Sequence, residues 1–335
     1  MQRMSFDEIQ QELTRILLAV GFDKSRAERC AHIFTENTCD GVASHGLNRF
    51  PSFVGDVCEG IVDPDSDPQV VRVLGAIEQW DGKRGPGPLN AEKMMERATE
   101  LSREYGLGCV GLRNTNHWMR GGTYGLQAAN AGCIGICWTN TTALMPPWGS
   151  ADKKIGNNPM VICVPRQEGP VLLDMAMSQF SNGKLEVLRR RGEQLPLPGG
   201  YDRNGELTTD PNAILESFRA LPIGYWKGSG LALLLDLVGS LLADGDSTRE
   251  ISRREKETGV SQVFMAIDIV SRMGADNVDG KVDAVIADLL EAPPAEGGSR
   301  VRYPGQGMLA TRRENLEKGI PVEPELWKAI RAMEI

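Results

Sequence analysis

Gly108-Cys109-Val110-Gly111-Leu112-Arg113 runs straight into Asn114-Thr115-Asn116-His117-Trp118, and Gly121-Gly122 then opens an apolar stretch from Tyr124 to Ala131. A short buried strand, a polar turn and a helix in this order make an α/β unit, and in such units ligands gather where a strand ends. His117 stands at that end. A polar cluster on a connector either binds and reacts or merely ties the loop together by hydrogen bonds; its position beyond a strand favours the first role.

Working outward, strands are expected at Gln69–Leu74 and Ala76–Trp80, a helix from about Leu89 to Tyr105, and further strands at Ile134–Thr139, Met160–Pro165, Val171–Met175 and Gln262–Ile267. Met145-Pro146-Pro147-Trp148-Gly149 makes a stiff turn among them. Ser181 to Arg191 reads as a helix whose basic last turn, Arg189-Arg190-Arg191, suits the negative end of the helix dipole. Leu195 to Asp210 is a Pro/Gly-rich loop. Gly224-Tyr225-Trp226-Lys227-Gly228-Ser229-Gly230 introduces a helix to about Ala243; its small residues and Lys227 suit either a ligand phosphate or a tight helix entry with a snorkelling lysine. A helix at Lys281–Leu290, a turn at Arg302–Gly307 and a terminal helix at Glu325–Ala332 complete the chain. No G-x-G-x-x-G follows any strand: Gly85-Pro86-Gly87 meets Asn90, and Gly228-Ser229-Gly230 meets Leu233.

The N-terminal part is helical instead. Ser5-Phe6-Asp7-Glu8 and Ser25-Arg26-Ala27-Glu28 are capping boxes, with apolar residues behind each at helical spacing. The pair of helices delivers Ser44-His45-Gly46-Leu47-Asn48-Arg49-Phe50-Pro51, which places an imidazole and a guanidinium on one short connector. Imidazole titrates near neutrality and serves as general acid or base, whereas arginine offers a planar fork that matches a carboxylate. His32, the third of only three histidines, lies mid-helix and is expected to be structural.

Composition bounds the partners. The chain has 335 residues and a formal charge of −8, which argues against nucleic acid or an anionic membrane as its main partner. Its first dozen residues are acidic rather than apolar, and the most apolar run, Leu231 to Ala243, is interrupted by Asp236 and reads as a buried helix. A cytoplasmic protein is expected. The seven cysteines form no C-x-x-C pair and no zinc-like cluster, so free thiols and no metal site are expected.

Ser44-His45-Gly46-x-x-Arg49-x-Pro51, Asn116-His117, Gly156-x-x-Pro159, Asp174-Met175-Ala176 and Gly228 together resemble the malate/L-lactate dehydrogenase-like family of NAD(P)-dependent oxidoreductases, from the first helix to the last. The resemblance is strongest to a branch acting on a sugar-derived acid, through runs such as Gly75–Asp81, Asn116–Gly122 and Gly135–Asn140. It implies an α/β, non-Rossmann NAD(P)-binding fold: a helical segment 1–68, a central sheet domain 69–300, and a C-terminal helical segment 301–335 packing with the first. It implies a homodimer, a 2-oxo acid substrate and a nicotinamide cofactor, NADH with NADPH as the alternative. In one branch the histidine matching His45 is the proton donor; in others the histidine matching His117 is the acid/base, and the arginine matching Arg49 holds the substrate carboxylate. Both histidines are therefore carried as catalytic, with Ser44, Arg49 and His117 binding substrate. Cofactor contacts are implied at Pro170, Val171, Leu172, Leu173, Asp174, Met175 and Ala176, at Trp226 and Lys227, and at Gly305, Gln306 and Gly307. The expected reaction is hydride transfer to C2 of the 2-oxo acid with a histidine acid. The alternatives are a dehydrogenase for another 2-hydroxy acid (malate, lactate, ureidoglycolate or sulfolactate type), a non-redox lyase or isomerase using the same His/Arg pair, and a silent sugar-acid-binding protein.

Overall fold

The computed structural model describes residues 1–333. Strand β1 (Gln2–Met4) leads into α1 (Phe6–Ala19), whose capping box at Ser5 and Glu8 forms on both sides. Helix α2 (Lys24–Cys39) starts earlier than the expected box at Ser25. Asp23 in extended backbone accepts from the Arg26 N–H, and aspartate caps as well as serine, so Ser25 already lies in the first turn. A 3₁₀ turn at Ala43–His45 and α3 (Phe50–Cys58), with Pro51 in its first turn, follow.

The middle of the chain contributes β2 (Gln69–Leu74), β3 (Ile77–Asp81), α4 (Gly87–Tyr105), β4 (Leu107–Thr115), α5 (Gly121–Asn130), β5 (Cys133–Thr139), β6 (Met160–Val164), β7 (Val171–Met175), α6 (Asn182–Arg191), β8 (Gly200–Tyr201), β9 (Leu207–Thr208), α7 (Pro211–Ser217), α8 (Trp226–Ala243), α9 (Thr248–Ile251), β10 (Val260–Asp268), α10 (Val270–Met273) and α11 (Ala275–Glu291). Then come α12 (Gln306–Lys318), β11 (Ile320–Val322) and α13 (Pro324–Arg331). Seven strands form one sheet in the order β2-β3-β4-β10-β5-β6-β7. Only β3 and β4 run parallel; every other neighbouring pair is antiparallel. The rule that ligands sit at carboxyl ends thus becomes a rule about one end of a mixed sheet, reached by β4, β5 and β7 with their last residues and by β10 and β6 with their first.

Successive side chains on a strand point to opposite faces, and the core divides accordingly. Val110, Leu112, Phe264 and Cys137 bury against Ala91, Met94, Met95 and Ala98 of α4 and Tyr124 and Ala128 of α5. Cys109, Val263 and Trp138 face the other way, onto Ala232 and Leu235 of α8. A third core joins Ile9, Leu13, Phe34, Phe50 and Phe53 to Ile320, Val322, Trp327 and Ile330, and β1 pairs with β11 beside it.

Several expectations are corrected. The apolar run Leu231–Ala243 is not wholly buried: Leu233, Leu234, Leu237, Val238 and Leu241 of α8 are exposed, and by length and composition α8 could cross a membrane. One helix face suffices to cover the sheet, which leaves the other bare. The loop Leu195–Asp210 contains the β8–β9 hairpin. Helix α11 begins well before Lys281, and α7, α12, β1 and β11 were not expected; short or weakly periodic segments such as these take their form from what they pack against.

Candidate active site

All five strand ends named above open onto one cavity of about 760 Å³. Ser44, His45 and Arg49 reach it from the 3₁₀ turn and the start of α3, and His117 from the turn after β4. The two imidazoles, distant in sequence, lie nearly stacked with centroids 5.8 Å apart.

The turn that carries His45 is set by close packing. Gly46 leaves no room for a side chain, since a Cβ there would lie 2.2 Å from Thr38 Oγ1 and 2.9 Å from the Phe34 carbonyl. Thr38 Oγ1 in turn accepts from the Leu47 N–H at 2.9 Å, and Asn37 Nδ2 donates to the His45 carbonyl at 3.0 Å. His45 Nδ1 lies 3.1 Å from Ser44 Oγ. Arg49, exposed to the cavity, forms no side-chain ion pair among the described residues, so its fork is free for an anion.

His117 is held differently. Met119, in left-handed backbone (φ 65°), turns its N–H onto His117 Nδ1 at 2.9 Å. A backbone N–H can only donate, so Nδ1 is the acceptor and the ring proton sits on Nε2. Burial pushes His117 down to about 3, and the charges of His45 and Arg49 act in the same direction. The ring is neutral at pH 7, with Nε2–H as its donor. Beneath it, Asn116 Nδ2 donates to the Arg84 carbonyl at 2.7 Å, and Gly87 packs so close that a Cβ would sit 2.1 Å from the His117 carbonyl. The Gly85-Pro86-Gly87 run, which failed as a dinucleotide fingerprint, is the floor of this turn.

His45 is also pushed down by burial, yet Asp174 pulls it upward against Arg49 and Arg120. Asp174 accepts from the Gly122 N–H at 2.9 Å and lies 3.8 Å from Arg120 Nε. Buried Arg120 pairs with buried Asp40, the C-cap of α2, and Asp40 pairs in turn with Arg312 of α12 at 2.7 Å. The ionic chain ties three segments together behind the histidines.

Of the expected cofactor residues, Leu172, Asp174, Ala176 and Gly305 line the cavity. Gly305, with φ 92°, lies against β7, where a Cβ would be 3.0 Å from the Leu172 nitrogen; the Leu172 N–H donates to the Pro304 carbonyl at 3.1 Å. Pro170, Val171, Leu173, Met175, Gln306 and Gly307 belong to these same two segments without lining the cavity. Gln306 Oε1 is buried with no hydrogen-bond partner in the first turn of α12. An orphaned acceptor beside bare helix N–H groups suits a ligand that carries hydroxyl or amide donors and a phosphate, so the segment fits a dinucleotide. Trp226 and Lys227 are not brought to the cavity within one chain: Trp226 is 66% exposed at the head of α8.

Sequence reasoning missed Arg120, Thr139 to Thr142, Asn157, Ser178, Glu257 and Met308, all of which line the cavity. Arg120 and Thr139-Asn140 fall inside runs already singled out. Glu257 has no local signal, because tertiary contacts alone bring its loop there.

A mixed seven-stranded sheet with helices on both faces carries a His/His/Arg cavity at one sheet end, and its strand order is not that of a parallel Rossmann sheet. The family model for malate/L-lactate dehydrogenase matches residues 4–331. The 2,3-diketo-L-gulonate reductase of Citrobacter koseri is 45% identical over 333 residues, covering 99% of this chain and 100% of that protein. Among solved structures, the sulfolactate dehydrogenase of Methanocaldococcus jannaschii superposes with TM-score 0.88 at 28% identity, covering 98% of this chain and 95% of that one. The malate dehydrogenase of Pyrococcus horikoshii gives TM-score 0.88 at 27% identity, covering 98% and 93%. The chain belongs to the malate/L-lactate dehydrogenase family. It is an oxidoreductase of the CH–OH/oxo type, using a nicotinamide cofactor.

Proposed function

We propose that the protein reduces the C2 carbonyl of a sugar-derived 2-oxo acid, 2,3-diketo-L-gulonate foremost, with NADH as the cofactor and NADPH as the alternative. In this reading Arg49 grips the carboxylate, with Ser44 beside it. His117, neutral and fixed by Met119, donates its Nε2–H to the carbonyl oxygen, and His45 delivers the proton to the oxygen as negative charge develops there. The division of labour rests on the Met119 N–H to His117 Nδ1 hydrogen bond: to act as an imidazolium acid, His117 would have to give that bond up. His45 carries no such constraint and has Asp174 to favour its charged form.

The nicotinamide supplies the hydride when bound. Residues Pro170 to Ala176 and Gly305 to Gly307 would hold it, with Trp226 and Lys227 assigned to its outer part. The roles of His45, His117, Arg49 and Ser44 and the segment divisions 1–68, 69–300 and 301–335 belong to the same proposal. So do a cytoplasmic location and a homodimer, the latter supported by the bare apolar face of α8 and by β2, an edge strand whose residues are all exposed.

The test is steady-state NADH and NADPH oxidation over a panel of 2-oxo acids, with His45→Ala and His117→Ala at saturating substrate. Both variants are expected to lose turnover by a hundredfold or more, in line with the roughly hundred- to ten-thousand-fold worth of a placed acid. Turnover unchanged in both would refute the assignment. Turnover of a sugar acid without any nicotinamide would instead favour a lyase or isomerase.

A further inference from the structure

We propose that Glu257 decides which 2-oxo acids the cavity accepts, by accepting hydrogen bonds from a hydroxyl-bearing tail and repelling a tail that ends in a second acid group. The inference rests on the reduction of a 2-oxo acid proposed above.

Sheet order locates Glu257 at the substrate end. Val260 of β10 pairs with Thr115 of β4, so Glu257, just before β10, lies beside the turn that carries His117. Thr258 Oγ1 donates to Asn116 Oδ1 at 2.7 Å, fixing that proximity. The cofactor turn at Gly305 packs instead on β7, three strand spacings from β10, or about 14 Å away. A tail extending from a carbonyl held at His117 therefore meets Glu257 before it meets Gly305.

The carboxylate is positioned and its charge is not cancelled. Its Oε2 accepts from the Thr142 N–H at 2.9 Å and from Thr142 Oγ1 at 3.1 Å, while Oε1 makes no hydrogen bond among the described residues. The two cations nearest in sequence are committed elsewhere, Lys256 to Glu59 and to Asp56 of α3 and Arg254 to Asp246, while exposed Arg253 forms no ion pair with Glu257 among the described residues. The other acid lining the cavity, Asp174, is satisfied by the Gly122 N–H with Arg120 close by. One free carboxylate oxygen in a half-enclosed cavity favours O–H donors and disfavours an anion. The remaining wall from Thr139 to Thr142, with Asn157, offers neutral polar groups and no cation to offset it.

The test compares kcat/KM of the wild-type protein and Glu257→Gln with pyruvate, fresh oxaloacetate and 2,3-diketo-L-gulonate at saturating NADH. Glutamine keeps an oxygen for both Thr142 bonds, and melting curves check the fold; Glu257→Ala serves as the second variant. Expected is a rise of about tenfold in oxaloacetate relative to pyruvate, the size of one pKa unit of interaction, with a several-fold loss for diketogulonate expressed mainly in KM. An unchanged oxaloacetate-to-pyruvate ratio, or an equal loss for all three substrates as a merely structural residue would give, overturns the inference. A wild-type protein that turns over none of the three overturns the underlying reading instead.

Discussion

The Met119 N–H aimed at His117 Nδ1 costs Met119 a left-handed backbone conformation, uncommon for a residue with a side chain. That strain fixes the tautomer and leaves Nε2–H as the ring's donor. It also makes a prediction about pH and stability. The folded-state value of His117 is depressed to about 3, below the ordinary 6.5, so the unfolded chain binds the proton more readily between the two. The stabilisation is therefore complete above about pH 6.5 and is lost as pH falls, at up to about 1.4 kcal/mol per pH unit. Urea unfolding at pH 7 and pH 5, above the carboxylate range, should show His117→Gln losing less stability on acidification than the wild type. Equal losses would mean that His117 is not held neutral.

At the scale of elements, glycines set the placement of both histidines, through space more than through dihedral freedom. Gly46 has an ordinary negative φ (−116°) yet no space for a methyl, because Thr38 and the Phe34 carbonyl of α2 press against it. Gly46→Ala must push the 3₁₀ turn away from α2, displacing His45 and opening the bond between Thr38 and the Leu47 N–H. An expected loss of about 1–3 kcal/mol follows from overpacking, with turnover falling well beyond any change in substrate binding. Gly55, inside α3 with nothing within 4 Å, is the control: Gly55→Ala should leave activity intact and stabilise by about 0.5–1 kcal/mol. Denaturation curves and kcat for the two variants check both halves. The element pattern was largely legible in the sequence, since apolar periodicity marked most of the sheet strands and long helices. It failed for α7 and for the β1–β11 pair, which have few residues to show a period, and for α12, whose thirteen residues carry no regular apolar stripe and bury only Asn315.

For the whole molecule, α8 carries the strongest unpartnered feature. Leu233, Leu234, Leu237, Val238 and Leu241 are exposed on an eighteen-residue helix, while Asp236 on the opposite side is buried and accepts from Asn140 Nδ2 and the Thr248 N–H, both at 2.8 Å. A contiguous apolar face of this kind marks an interaction surface, and the proposed homodimer would cover it. Sedimentation of the wild-type protein should give a dimer, and Leu234→Glu combined with Leu241→Glu should give a folded monomer. A monomeric wild type, or a double variant that still dimerises, would move the interface elsewhere. Trp226 and Lys227, exposed at the head of the same helix, lie apart from the cavity within one chain, so the same experiment with cofactor titration bears on their role.

The sequence by itself determined the local chemistry: which residues cap α1, which positions alternate between the faces of the strands, and which motifs carry His45, Arg49 and His117. Those are properties of neighbours a few residues apart, and backbone geometry converts them directly into faces and turns. What only the tertiary structure decided was the company these groups keep. That the two imidazoles stack, that Asp40 ties Arg120 to Arg312, and that Glu257 lines the same cavity as His117 all depend on strand order, with β10 inserted between β4 and β5. Pairing of strands so distant in the chain follows from how whole faces pack, and no short stretch of residues encodes it.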